Sequence, residues 1–174
     1  MKKENLPYSK KIMEHFLHPH NMGEIKNPDG VGKVGNPYCG DVMWLYIKVK
    51  KDKKTGEEKI SEIKFKTFGC VTAIASSSII TDLAKNKTLK EALEISSKDI
   101  VKSLGGKLPP IKIHCSVLAA DALAEAIYDY LKKRKRKIPK KLEEVHKRIQ
   151  KSLKQAEKMH KEYMRFEEEM MKKG

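Results

Sequence analysis

The chain has 174 residues, 39% of them apolar and 35% charged, enough for one domain of ordinary size with an appendage and too little for two full domains. Three cysteines, an odd number with no apolar leader before them, exclude a disulfide framework, and no apolar run approaches the roughly 18 residues of a membrane span. The formal net charge is +15, and residues 132–174 hold 17 Lys and Arg against 7 Asp and Glu, so most of the basic excess lies in the last quarter of the chain. With no signal or transit pattern in the opening Met1, Lys2, Lys3, Glu4 and Asn5, the expectation is a soluble, cytoplasmic protein without a membrane partner. Its expected body is residues 1–131, followed by a basic extension, 132–174.

In chain order, residues 8–18 predict a short helix with Tyr8, Ile12, His15 and Phe16 on one face, ended by Pro19. Residues 21–35, rich in Gly, Asn and Pro, read as loop or weak edge strand. Residues 42–50 alternate, with Met43, Leu45, Ile47 and Val49 on one side and Val42, Trp44, Tyr46 and Lys48 on the other. A charged hairpin loop, 51–59, leads to a return strand, 60–68, with Ile63, Phe65 and Thr67 on one face. Helices follow over 73–85, 89–95, 97–104 and 116–132. The first is rich in Ala and Ser, which suits close packing. The last carries Ala119, Leu123, Ala126, Ile127 and Tyr130 on one stripe, and Leu108-Pro109-Pro110 before it reads as extended. Strands first and helices after predict an α+β fold, a small antiparallel sheet of about three strands with helices on one face.

Each cysteine sits at a punctuation point. Cys39 lies in the turn Gly35-Asn36-Pro37-Tyr38-Cys39-Gly40-Asp41, Cys70 follows Phe68-Gly69 at a strand-to-helix junction, and Cys115 follows His114 at the start of a helix. Helix N-termini favour the thiolate, the form that binds metal or attacks sulfur. Cys39 and Asp41 share the parity of Met43, which places both at the core-side rim, and Gly69 supplies the kink that brings Cys70 to them. Three thiols with His114 or Asp41 as fourth ligand suit Zn²⁺ or an iron–sulfur cluster. The competing reading of each cysteine alone is a small buried hydrophobe, and no Cys-x-x-Cys pair is present.

The flanking residues sharpen this. The segment 35–41, then Phe65-Lys66-Thr67-Phe68-Gly69-Cys70 with Ala73-Ile74-Ala75-Ser76-Ser77-Ser78, then Leu108-Pro109-Pro110-Ile111-Lys112-Ile113-His114-Cys115 closely resemble the IscU/NifU family of iron–sulfur assembly scaffolds. The resemblance spans about residues 7–131 and is of the IscU rather than the SufU type. It implies that Cys39, Cys70 and Cys115 are the cluster thiolates, that Asp41 and His114 compete for the fourth position, and that Asp41 keeps the cluster labile. It also implies that Cys115 accepts persulfide sulfur from a cysteine desulfurase, helped by a low thiol pKa beside His114 and Lys112. Residues 108–112 (Leu108, Pro109, Pro110, Ile111, Lys112) resemble a site for a DnaK-type chaperone; the alternative is a rigid bridge that aims His114 and Cys115. One departure is Val71-Thr72 where the family has Gly-Ser, and a helical Val71 is expected there.

The implied function is a non-enzymatic scaffold for a labile [2Fe–2S] cluster, built from iron and persulfide sulfur and passed to acceptor apo-proteins. The alternative is a zinc-binding sulfur acceptor that stimulates a desulfurase. A thiol enzyme using Cys115 with His114 is disfavoured because adjacent side chains diverge. A nucleic-acid partner would rest on the six-residue basic run 132–137 alone. After Pro139, the residues Leu142, Val145, Ile149, Ser152, Ala156, Met159, Tyr163, Phe166 and Met170 recur at spacings of three and four. One helix over 139–172 would be about 50 Å long. It must overhang the body, bend or find a partner, and packing along the body, a second copy, or both are expected.

Overall fold

The structure, a computed structural model, describes residues 8–173. Residues 1–7 and 174, and with them the opening stretch read above, lie outside the described residues, as do the side chains of residues 166–169 and 171–173, Phe166 included. Three strands, β1 (Gly30–Gly35), β2 (Val42–Lys51) and β3 (Glu58–Phe68), form one antiparallel sheet in the order β1-β2-β3. The edge strand foreseen as loop or strand is β1. Met43, Leu45 and Ile47 are buried as the alternation requires, while Val42, Trp44, Tyr46 and Lys48 stay half-exposed on the outer face. β3 departs from simple alternation. Val49 pairs with Ile60 and Lys48 with Glu62, so Ser61 is an extra residue, and this bulge returns Ile60 to the core beside Ile63.

The helices α1 (Lys10–Leu17), α2 (Val71–Ala84), α3 (Leu89–Glu94), α4 (Ser97–Ser103), α5 (Ile113–Lys133) and α6 (Lys140–Lys173) follow the predicted order. Ser9 caps α1, and Thr88 with Glu91 and Ser96 with Asp99 form capping boxes on α3 and α4. The cap of α4 is thus Ser96, immediately before the predicted span 97–104. Residues 110–112 form a single 3-10 turn rather than continuing the extended run, and α5 starts three residues earlier than predicted, at Ile113. α2 is buried on nearly every side, which its Ala and Ser content permits. Ser77 donates to Ala73 O, and Ser78 Oγ lies 2.8 Å from His15 Nδ1.

α5 lies directly on β1. A Cβ at Gly32 would sit 2.0 Å from Ala122 O, and one at Gly30 2.2 Å from Ala126 O. The two glycines, in the stretch read as loop or weak edge strand, therefore let α5 rest directly on the backbone of β1.

The first half of α6 packs on the body and the second half overhangs it. Leu142 and Ile149 are buried and Val145 and Leu153 pack against the core, whereas Met159, Tyr163 and Met170 are exposed. Polar contacts line the joint: His146 stacks on Tyr128 at 3.8 Å and meets Glu125 at 2.9 Å, and Arg148 donates to Asp121 at 2.7 Å. Burial pushes the Asp121 carboxyl up against the opposing pull of Arg148. Arg148→Ala is therefore expected to cost about 1 kcal/mol at neutral pH, read by chemical denaturation. A protonated Asp121 needs no cationic partner. The loss should shrink as pH falls through its raised folded-state pKa, and Asp121→Asn should relieve it.

The basic run is engaged by the body. Lys133 pairs with Asp129 at 2.6 Å, Arg136 pairs with Glu58, and Lys132 and Arg134 lie over the rings of Tyr128 and Tyr130. Lys135, just past the C-cap of α5, has φ +52°. Lys135→Gly removes the strain of a left-handed side chain and should raise stability by up to about 1 kcal/mol, visible as a higher Tm.

Candidate functional site

Three chain reversals meet at one end of the sheet. Between β1 and β2, Asn36 N donates to Asp41 O at 2.9 Å and Gly40 N to Asn36 O at 3.0 Å, which closes the loop that carries Cys39. Cys39 is exposed at its tip, whereas Asp41 is buried. Cys39 precedes the strand and is the more exposed of the two, yet its Sγ stays within 4.8 Å of ligand atoms of Asp41 and His114, at the rim of the same site. After β3, Cys70 is the N-cap residue of α2, and Ile74 N donates to its carbonyl. Gly69 makes this junction possible, since a Cβ there would come within 2.8 Å of Ala73 Cβ and 3.0 Å of Asp41 Cγ. Val71 opens α2 in helical conformation, as expected. The third reversal is the 3-10 turn, which delivers half-buried His114 and buried Cys115 in the first turn of α5.

All five expected residues come together. Cys70 Sγ lies 3.8 Å from Cys115 Sγ, and Cys115 Sγ lies 3.8 Å from Asp41 Oδ2 and 3.5 Å from His114 Nε2. Asp41, Cys70 and Cys115 offer ligand atoms all within 4.8 Å of one another, and so do Cys39, Asp41 and His114. Asp41 is common to both trios. Two thiolates on one tetrahedral metal at about 2.3 Å are roughly 3.8 Å apart, so the Cys70–Cys115 pair already has the spacing of a shared ion.

The electrostatics correct one expectation. Cys115 does not have a low thiol pKa. Burial pushes it strongly up, and the neighbouring Cys70, Asp41 and Cys39 push the same way, outweighing the helix N-terminus. Burial raises the Cys39 thiol as well. The ammonium of Lys112 is held above its usual value first by Cys70 and also by Cys115. Thiols that burial and neighbouring negative charge keep protonated, as at Cys115 and Cys39, form a site that a cation stabilises by displacing their protons.

The segment 108–112 runs from half-buried Leu108 and Pro109 to exposed Pro110 and Ile111, with Lys112 turned toward the thiols. Sequence reasoning missed an apolar rim. Tyr38, Phe68 and Ile111 are 92%, 79% and 77% exposed, and Ile113 is exposed too. Each flanks a cysteine motif, and that position was the available signal. A further group, His15, His20 and Asp82, joins α1 to α2 away from these thiols and is hydrogen-bonded within itself and to Ser78.

An α+β fold that gathers three thiols, a buried carboxylate and an imidazole at one sheet end, under an open apolar rim, defines a protein built to hold a thiolate-bound metal or cluster near its surface. Residues 7–137 match the family model of the NifU-like N terminal domain. The chain is 54% identical over 126 residues to the iron–sulfur cluster assembly scaffold protein IscU 1 of Archaeoglobus fulgidus, covering 72% of this chain and 78% of that protein. It is 48% identical over 135 residues to IscU of Escherichia coli, covering 76% of this chain and all of that protein. Among solved structures, a protein ascribed to the SUF system of Fervidobacterium islandicum superposes with a TM-score of 0.59 at 26% identity, over 70% of this chain and 96% of that one. The chain belongs to the NifU-like N-terminal domain family, as an IscU-type iron–sulfur cluster assembly scaffold. Residues 138–174 lie beyond the family match. Among the described residues, no helix is long and apolar enough to cross a membrane.

Proposed function

We propose that this non-enzymatic scaffold assembles a [2Fe–2S] cluster on Cys39, Cys70 and Cys115, with Asp41 or His114 completing the set, and hands it to acceptor apo-proteins. The single observation that carries the reading is the 3.8 Å Cys70–Cys115 spacing beside a second trio that shares Asp41. Cys70 and Cys115 serve one iron, while Cys39 with Asp41 or His114 serves the other. Persulfide sulfur from a cysteine desulfurase passes to Cys115 by exchange: the Cys115 sulfur bonds to the outer persulfide sulfur, the persulfide S–S bond breaks, and the departing desulfurase thiolate takes up the Cys115 proton. Its reduction to bridging sulfide takes two electrons from an external donor. Because Cys115 is only 1% exposed, the partner must open the site to reach it, and the apolar rim of Tyr38, Phe68 and Ile111 offers the contact.

Anaerobic reconstitution of the full chain with ferrous iron and sulfide tests this. Two irons and two sulfides per chain, with visible charge-transfer bands, are expected. Cys70→Ser or Cys115→Ser should abolish them. A specific observation also favours the zinc alternative, since Asp41, Cys70 and Cys115 approximate three vertices around one tetrahedral ion. Tight Zn²⁺ binding with no cluster formed would favour a zinc-bound sulfur acceptor that stimulates the desulfurase. Exposed Pro110 and Ile111 suit a DnaK-type chaperone at residues 108–112. The overhanging half of α6 suits a second copy, which sedimentation of the full chain reads directly.

A further inference from the structure

We infer that α6, which lies beyond the family match, is a positioning element for the Cys39 loop: Ser152 and Leu153 fix Gly35 at the base of that loop. The functional consequence rests on the scaffold reading, but the geometry does not. Ser152 Oγ donates to Gly35 O at 3.1 Å. Gly35 has no side chain, and the direction in which a Cβ would point is filled by Leu153 Cδ2 at 3.1 Å. Leu153 thus lies against bare backbone at the last residue of β1.

The next residue transmits this hold. Asn36 bonds to Asp41 O and accepts from Gly40 N, while its side chain accepts from Tyr38 N. The loop is therefore a closed unit hinged at Gly35, and a shift of its base moves Cys39 and Asp41 together. Cys39 itself is exposed, so its position depends on that base. α6 also forms one wall of a cavity of about 230 Å³, where Ile149 and Ser152 face Pro37, Tyr38, His114 and Val117. The buried Leu142 and the Arg148–Asp121 pair anchor the helix independently of the loop. α6 therefore acts as a fixed post against which the Cys39 loop is set. Cys70 and Cys115 are held by α2 and α5 and do not depend on it in this way.

Ser152→Ala and Leu153→Ala in the full chain test this, with Ser152→Thr as the variant that keeps the hydroxyl. Hydrogen exchange of the cluster-free protein is the first readout. The amides of Asn36 and of residues 38–41 should exchange about fivefold faster in Ser152→Ala, as expected for one lost hydrogen bond. Amides around residues 70–76 should be unchanged, and Ser152→Thr should restore protection. The second readout is cluster loss from reconstituted protein, which should accelerate by a similar factor. Unchanged loop exchange, or exchange raised uniformly across the fold, would make α6 a merely structural support and overturn the inference. Faster loop exchange with unchanged cluster loss would overturn the positioning role. Should the wild-type chain take up no cluster, the scaffold reading falls, and loop exchange alone then decides the hold of α6.

Discussion

Gly32→Ala is expected to lower the Tm by about 6–12 °C, from a penalty of roughly 3 kcal/mol, and to weaken cluster assembly with it. The added methyl would sit 2.0 Å from Ala122 O and 2.7 Å from Ala126 N. Both obstacles are backbone atoms of α5, so no side-chain rotamer relieves the clash, and the helix must lift from β1. That places the penalty at the upper end of what overpacking costs. The movement also reaches the site, because His114 and Cys115 ride on the first turn of α5 while Cys70 is held at the start of α2. Lifting the helix opens the 3.8 Å spacing between Cys70 and Cys115. Lys33→Ala, an exposed change on the same strand, should leave both quantities within error. A thermal melt comparing the two variants checks the argument. A Gly32→Ala melt equal to that of Lys33→Ala would mean that α5 and β1 have slack not visible in their packing.

The same two glycines show where the sequence is readable and where it is not. β2 was legible because period-2 alternation in Met43, Leu45 and Ile47 reports burial of one face, and that face is buried. β1 was only half legible, because its contact with α5 is made by the absence of side chains at Gly30 and Gly32, and a glycine prints the same letter in a turn and under a helix. The bulge at Ser61 was hidden for a related reason: inserting one residue reverses the phase, so Ile60 and Ile63 are both buried although three apart. At the site, the types and order of Cys39, Asp41, Cys70, His114 and Cys115 carried the chemistry, and the flanking motifs carried the family. The burial of Cys115 did not follow from them. A helix N-terminus predicts a lowered thiol pKa only where solvent remains, and here burial and neighbouring acidic groups prevail. The seam of α6 announced an apolar face but not which half would find the body, since docking rests on partners far away in the sequence, Asp121, Glu125 and the bare, buried backbone of Gly35, the last more than a hundred residues away.

Asp41→Ala is expected to slow loss of the assembled cluster about tenfold, the equivalent of roughly 1.4 kcal/mol. Asp41 is buried between the two trios of ligand atoms, and its carboxylate acts on the cluster in two ways. It offers iron a hard oxygen ligand where a soft thiolate or an imidazole would hold more firmly. Its charge also raises the Cys115 and Cys39 thiols, which favours reprotonation of the ligands when the cluster leaves. Alanine removes both effects and leaves His114 as the fourth ligand, 3.5 Å from Cys115 Sγ. The loop should persist in the variant, because the bond from Asn36 N is accepted by the backbone carbonyl of residue 41, not by the carboxylate. The measurement is decay of the visible charge-transfer bands after an iron chelator is added anaerobically, together with transfer to an apo-acceptor. Slower decay with slower transfer is the expected pair of results, since a scaffold has to release what it builds. Faster decay would show that Asp41 holds the cluster rather than loosening it, and that His114 does not take the fourth position in its place.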